Sequence, residues 1–108
     1  MADTFTIKQG DTSPALARVL ETAAGPIPLE IGDKVTFSMR RPYGGPVVVD
    51  RQPCQIREGS VVVFFWHDRD TATPGLFEAE FEITRADRSI ETVPNWDYLY
   101  VNVVGTVA

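Results

Sequence analysis

Apolar and polar residues alternate along much of this chain in short runs, and residues that favour turns separate them. A period of two sends one side of a strand to the core and the other to water. Phe5 and Ile7 alternate with Thr4, Thr6 and Lys8, predicting a first strand. Gln9-Gly10-Asp11-Thr12-Ser13-Pro14 ends it, since Asp and Ser bond nearby backbone and Pro14 lacks a donor. Ala15 to Glu21, with Leu16, Val19 and Leu20 apolar, suits a short helix or a strand; its length and its β surroundings select a strand. Ala23 to Pro28 predicts a turn. In Lys34 to Arg40, Val35, Phe37 and Met39 share one face. Pro42-Tyr43-Gly44-Gly45-Pro46 is a strong turn cluster. Val47 to Val49 and Gln52 to Arg57 predict one strand interrupted near Asp50 to Pro53, and Glu58-Gly59 turns the chain.

Beyond the loop His67 to Gly75 lies the clearest alternation. Phe77, Ala79, Phe81 and Ile83 form one row and Glu78, Glu80, Glu82 and Thr84 the other, the pattern of a sheet solvated on one face. Ser89 to Val93 is a short strand after the turn Arg85 to Arg88. Asp97 to Val104 closes the chain, with Leu99, Val101 and Val103 opposite Tyr98, Tyr100 and Asn102. About eight short strands with regularly spaced turns predict an all-β fold of the sandwich kind. No segment keeps helical periodicity for the roughly 10–12 residues that would mark a helix.

Val61 to Trp66, Val-Val-Val-Phe-Phe-Trp, breaks the alternation because it is apolar on both faces. Each sheet of a two-layer sandwich has an outer face, where Val62, Phe64 and Trp66 or their neighbours are expected. Exposed apolar patches of this kind mark partner contacts. The alternative is internal cover, by the N-terminal segment or by a bulge that shifts the register.

Composition narrows the picture. At 108 residues the chain is the size of one domain, here residues 1–108. The net charge of −5 argues against nucleic acid and anionic membranes as partners, since phosphate binders show a basic patch and Arg40-Arg41 is the only adjacent basic pair. No apolar run approaches the roughly 20 residues of a membrane span, and Met1-Ala2-Asp3-Thr4 does not open a signal peptide. Cys54 stands alone, so no internal disulfide forms and the fold rests on its core, which suits folding in a reducing cytoplasm.

Little chemistry can be assembled. His67 is the only histidine, so a serine nucleophile would have to use it as base. A zinc site needs three or four ligands, and only His67 and Cys54 are strong candidates. His67 therefore reads as a loop or surface histidine. Asp68 and Asp70, with Asp11 or Asp97, have the chemistry of a calcium site but not its dense loop spacing, and predict turn capping instead. Glu78, Glu80 and Glu82 read as a solvated face rather than a catalytic pair. Cys54 predicts a small core or edge residue, and Gly44-Gly45 a hairpin tip. No catalytic residue, metal or cofactor is expected, and the chain reads as a non-enzyme.

Several spaced motifs carry a family resemblance: Phe5-Thr6-Ile7-Lys8-Gln9-Gly10-Asp11-Thr12-Ser13-Pro14, Pro26-Ile27-Pro28-Leu29 before Val35 to Arg40, Trp66, Asp70-Thr71 and Pro74-Gly75-Leu76-Phe77-Glu78-Ala79-Glu80-Phe81, Glu91-Thr92-Val93-Pro94-Asn95 and the Tyr98 to Val103 strand. The chain resembles the small immunoglobulin-like β-sandwich modules of tailed-bacteriophage virions and is similar to the N-terminal domain of baseplate upper proteins. It departs from them at Leu29-Glu30-Ile31-Gly32-Asp33 and at Ala86-Asp87-Arg88. The resemblance implies an immunoglobulin-like antiparallel β-sandwich of seven to nine short strands. It implies a virion structural protein, made and folded in the host bacterial cytoplasm, that acts as an assembly or adaptor module in the tail, baseplate or neck. Its partners would be other virion proteins, in several copies or as a homo-oligomer. Because such modules usually anchor longer proteins, a one-domain chain is expected to be an adaptor rather than a receptor-binding head. A capsid decoration protein is the near alternative. A host-surface carbohydrate-binding module is the distant one, with Trp66, Tyr98 and Tyr100 as a stacking platform. The candidate interface is Val62, Phe64 and Trp66, with Tyr43 and Trp96 as loop anchors.

Overall fold

A computed structural model describes residues 3–94 and 98–107. Its strands are β1 (Asp3–Lys8), β2 (Leu16–Val19), β3 (Glu21–Thr22), β4 (Gly25–Pro26), β5 (Lys34–Arg40), β6 (Val47–Pro53), β7 (Gln55–Arg57), β8 (Val61–Phe64), β9 (Gly75–Thr84), β10 (Ile90–Val93) and β11 (Leu99–Val104), with one 3-10 turn, Asp68–Thr71. The fold is all-β. The pattern predicted about eight strands, and three local breaks account for the larger number. Ala15 to Glu21 divides at Leu20, the 23–28 turn folds into a two-residue hairpin of β3 on β4, and the 47–57 strand divides at Cys54.

β9 organises a six-stranded sheet in the order β1-β11-β9-β5-β6. One edge of β9 pairs with the whole length of β5, from Lys34 opposite Thr84 to Arg40 opposite Glu78. The other edge is shared: β10 covers Phe81 to Thr84 and β11 covers Gly75 to Ala79. A second sheet has the order β2-β8-β7. The 47–57 segment leaves the first sheet at Cys54, whose amide donates to Val35 O at 2.9 Å, and enters the second as β7. The expectation of a wholly antiparallel arrangement needs correction, because β1 runs parallel to β11 from Asp3–Leu99 to Lys8–Val104. Parallel neighbours need a long connection, and strands at opposite ends of the chain have one.

The inner rows are those the alternation predicted. Val35, Phe37 and Met39, then Phe77, Ala79, Phe81 and Ile83, then Leu99, Val101 and Val103 are buried. Leu16, Val62 and Phe64 join them from the other sheet in one hydrophobic cluster. Phe37 carries the contact between layers, its ring centroid 4.5 Å from Phe64 and 5.3 Å from Phe81. At about 25 cal/mol per Å² of apolar surface removed from water, such aromatic burial dominates the stability.

Polar clusters fix the loops. The Asp70 carboxylate accepts the His67 amide at 2.8 Å, and the buried Thr71 donates its hydroxyl to Asp11 O at 2.8 Å. The 68–71 turn is thereby fastened to the 9–11 loop. Asp33 accepts the Glu30 amide at 2.8 Å and Arg85 Nη1 at 2.7 Å, and Arg85 Nη1 also donates to Pro28 O. The Glu30 amide, followed by the Arg85 guanidinium, holds the Asp33 carboxyl below its ordinary value despite its burial. Arg41 lays its guanidinium 4.4 Å from the Phe77 ring centroid and donates to Pro74 O.

Candidate functional site: two outer sheet faces

β8 settles where the doubly apolar segment points. Phe64 lies opposite Leu16, while Val63 lies opposite Ala17 and Gln55, and Val61 opposite Val19 and Arg57. Val62, Phe64 and Trp66 are therefore the inner row and are 0%, 1% and 5% exposed. The expectation that these three form an exposed patch is corrected: they are core residues. Trp66 is packed by Phe5, Phe37 and Phe64, with centroids 5.8, 5.7 and 5.1 Å away. Its Nε1 is buried and meets no acceptor among the described residues. The neighbours take the outer face. Val61, Val63 and Phe65 continue the opposite row; Phe65 is 54% and Val19 44% exposed, while Val61 is half-buried and Val63, at 3%, is covered. The outer face of the three-stranded sheet thus exposes Phe65 and Val19, with Gln55 and Arg57 alongside.

Tyr43 is fully exposed at the tip of the 42–46 loop with φ 59. The loop beneath it is braced by the Arg41 amide donating to Pro46 O and the Gly45 amide donating to Arg41 O. Trp96 lies outside the described residues, as does Asp97.

The outer face of the six-stranded sheet is more structured than a solvated row of glutamates. A trough of about 230 Å³ runs over β5, β6 and β9, lined among others by Ser38, Arg40, Arg51, Glu78, Glu80 and Tyr98. Arg40, opposite Glu78 in register, pairs with it at 3.2 Å and donates from Nη2 to Tyr98 Oη at 3.1 Å. β6 bulges opposite Ser38, where the register slips between Phe37 and Met39. Arg51 sits at the bulge with φ 45, donates its amide to the Ser38 hydroxyl at 2.9 Å and directs its guanidinium to Glu82 at 3.9 Å. Sequence reasoning missed this trough, because the bulge and the division of β9's edge are set by pairing between distant segments.

The remaining candidates fall into structural roles. Asp68 Oδ1 accepts the Arg69 amide and Asp70 the His67 amide, so both serve the turn, as predicted. The His67 ring lies 3.5 Å from Asp70. No three His, Cys, Asp or Glu side chains converge to hold a metal among the described residues. Cys54 is partly buried against the core, and burial pushes its thiol up to about 12. Tyr98 and Tyr100 are half-buried with ring planes at 76°, and Trp66 is buried, so the three do not form one flat stacking platform. Comparison of the chain with protein-family models, with curated proteins and with solved structures returns no match.

Proposed function

We propose that this chain is a non-catalytic assembly module of a tailed-bacteriophage virion, an immunoglobulin-like sandwich that works by contact in the tail, baseplate or neck. The observation that carries the reading is the pair of exposed apolar side chains, Phe65 and Val19, on the outward face of the three-stranded sheet. A strand covered on one face by its own core and apolar on the other suits a protein whose second face meets a neighbour. Tyr43, fully exposed on a braced loop, supplies an aromatic anchor of the kind interfaces favour. The resemblance of the strand-and-turn motifs to those of baseplate modules suggests the setting. A capsid decoration role uses the same surfaces and differs only in position.

The experiment is to locate the chain in purified particles by imaging, and then to substitute Phe65→Asp. The variant is expected to fold with an unchanged circular dichroism spectrum and to be lost from particles. A stable free monomer that binds a glycan and is absent from particles would overturn the reading.

A further inference from the structure

We propose that the free edge of β1 pairs antiparallel with β1 of a second copy of this chain, joining two six-stranded sheets about a two-fold axis. Among the described residues β1 has β11 on one edge and no strand on the other. Backbone groups alternate between the two edges of a strand. The Gln9 amide donates to Val104 O at 2.7 Å, so the odd-numbered residues of this run face β11. The amides and carbonyls of Thr4 and Thr6 therefore point away from it. Both residues are exposed, so a second strand can reach those groups. An unpaired ladder of this kind templates another strand unless a bulge, a proline or shortness blunts it.

β1 has none of these, and the other edges do. Its six residues contain no proline, and its register with β11 is unbroken from Asp3 to Lys8. At the far side of the same sheet β6 carries the bulge at Arg51 and ends on Pro53. In the second sheet β2 and β7 hold four and three residues, and Ala17 O on β2 already accepts Arg18 Nη1 at 2.9 Å.

The occupant is a second β1 because the strand fits its own reverse. An axis through Phe5 sets Thr4 opposite the second copy's Thr6, and Thr6 opposite its Thr4, so each pair exchanges both ladder bonds. Phe5 then meets its own counterpart, an aromatic cross-strand pair. Its ring lies between Trp66 and the Arg18 guanidinium and is only half-buried, so pairing covers it. Charge permits the approach. Asp3 and Lys8 are the charged residues of β1, and Asp3 is already held by Arg18 at 2.6 Å. In this register no like charges stand opposite, so this edge avoids the repulsion that a net charge of −5 brings to other faces. A two-fold contact between identical patches is also the commonest way soluble chains pair.

The inference rests on the reading of this chain as a contact module, but its test needs no particle. Sedimentation equilibrium of the full chain from about 10 µM to about 1 mM should show a monomer–dimer equilibrium. Amide hydrogen exchange at Thr4 and Thr6 should slow at least tenfold as the dimer fills. Thr6→Pro removes an amide that the single copy leaves unbonded, so the monomer keeps its circular dichroism spectrum. Its dimer dissociation constant should rise at least about tenfold. Thr4→Lys with Thr6→Lys, both on exposed positions, should weaken the dimer likewise and serves if the proline variant does not fold. Phe65→Asp, on the other sheet, should leave the dimer unchanged. A monomer at every concentration, a dimer with fast exchange at Thr4 and Thr6, a dimer indifferent to the β1 variants, or one broken by Phe65→Asp would each overturn the proposal. A monomer that still enters particles removes the pairing and keeps the assembly reading. A dimer absent from particles does the reverse.

Discussion

Truncating Phe64 and Phe65 in turn tests which way β8 faces, because the two residues are adjacent and chemically identical. Phe64 is 1% exposed and packs its ring on Phe37 at 4.5 Å and on Trp66 at 5.1 Å. Emptying such a site loses the transfer energy of the ring and leaves a cavity, and core Phe→Ala changes cost roughly 3–5 kcal/mol. The two ring contacts place Phe64→Ala at about 4 kcal/mol. Phe65 is 54% exposed, so less than half of the roughly 1.5–3 kcal/mol of a fully buried phenylalanine is at stake. Phe65→Ala should therefore cost about 1 kcal/mol. A domain of this length has about 5–15 kcal/mol in total, so the first change removes a large share and the second a small one. Urea unfolding followed by far-UV circular dichroism resolves them. With a slope of about 1.5 kcal/mol per molar urea, the midpoint falls by roughly 2.5 M for Phe64→Ala and by less than about 1 M for Phe65→Ala. Equal costs, or the larger cost at Phe65, would refute the assignment of inner and outer rows and with it the outward placement of Phe65.

Cys54 should resist alkylation in the native state. With its thiol near 12 against an ordinary 9.0, the thiolate fraction at pH 8 is about a thousandfold smaller than in the unfolded chain. Iodoacetamide labelling followed by mass spectrometry, with and without urea, should show that contrast; equal rates would contradict the burial. Asp33→Asn should flatten the acid limb of the stability curve. The folded carboxyl lies below 3.8, so its stabilising contribution is complete above about pH 3.8 and is lost as pH falls through the lower folded value. Unfolding curves at pH 2 to 6 should therefore converge for wild type and variant only at the acid end. Gly75→Ala places a methyl against the Arg41 guanidinium at a backbone φ of +140, where side chains are strained. A loss of about 1–3 kcal/mol in thermal unfolding is expected, and wild-type stability would refute both the backbone strain and the cost of displacing Arg41.

Legibility in the sequence followed contrast between faces. Phe77 to Ile83 and Leu99 to Val103 alternate against glutamates, tyrosines and asparagine, so their inward rows could be read directly and are the buried ones. Val61 to Trp66 offers no contrast. Its parity is set by where Leu16, Ala17 and Gln55 pair with it, which is non-local information. That is why Val62, Phe64 and Trp66 were expected outside and lie inside. The trough was hidden for the same reason. Glu78, Glu80 and Glu82 look equivalent along the chain. Only the register that sets Arg40 opposite Glu78 and the β6 bulge at Arg51 distinguish them. The parallel β1–β11 pairing likewise joins segments that no local pattern links.

That parallel pairing has a mechanical consequence. β1 enters at Asp3 beside Leu99, and β11 leaves at Val104 beside Lys8. A pull applied to the start of β1 and the end of β11 slides the two strands along each other instead of peeling them apart. Their rungs then share the load and must fail together, which resists stretching far better than rungs that open one at a time. A unit strung by its two ends in a larger assembly would carry tension along this seam.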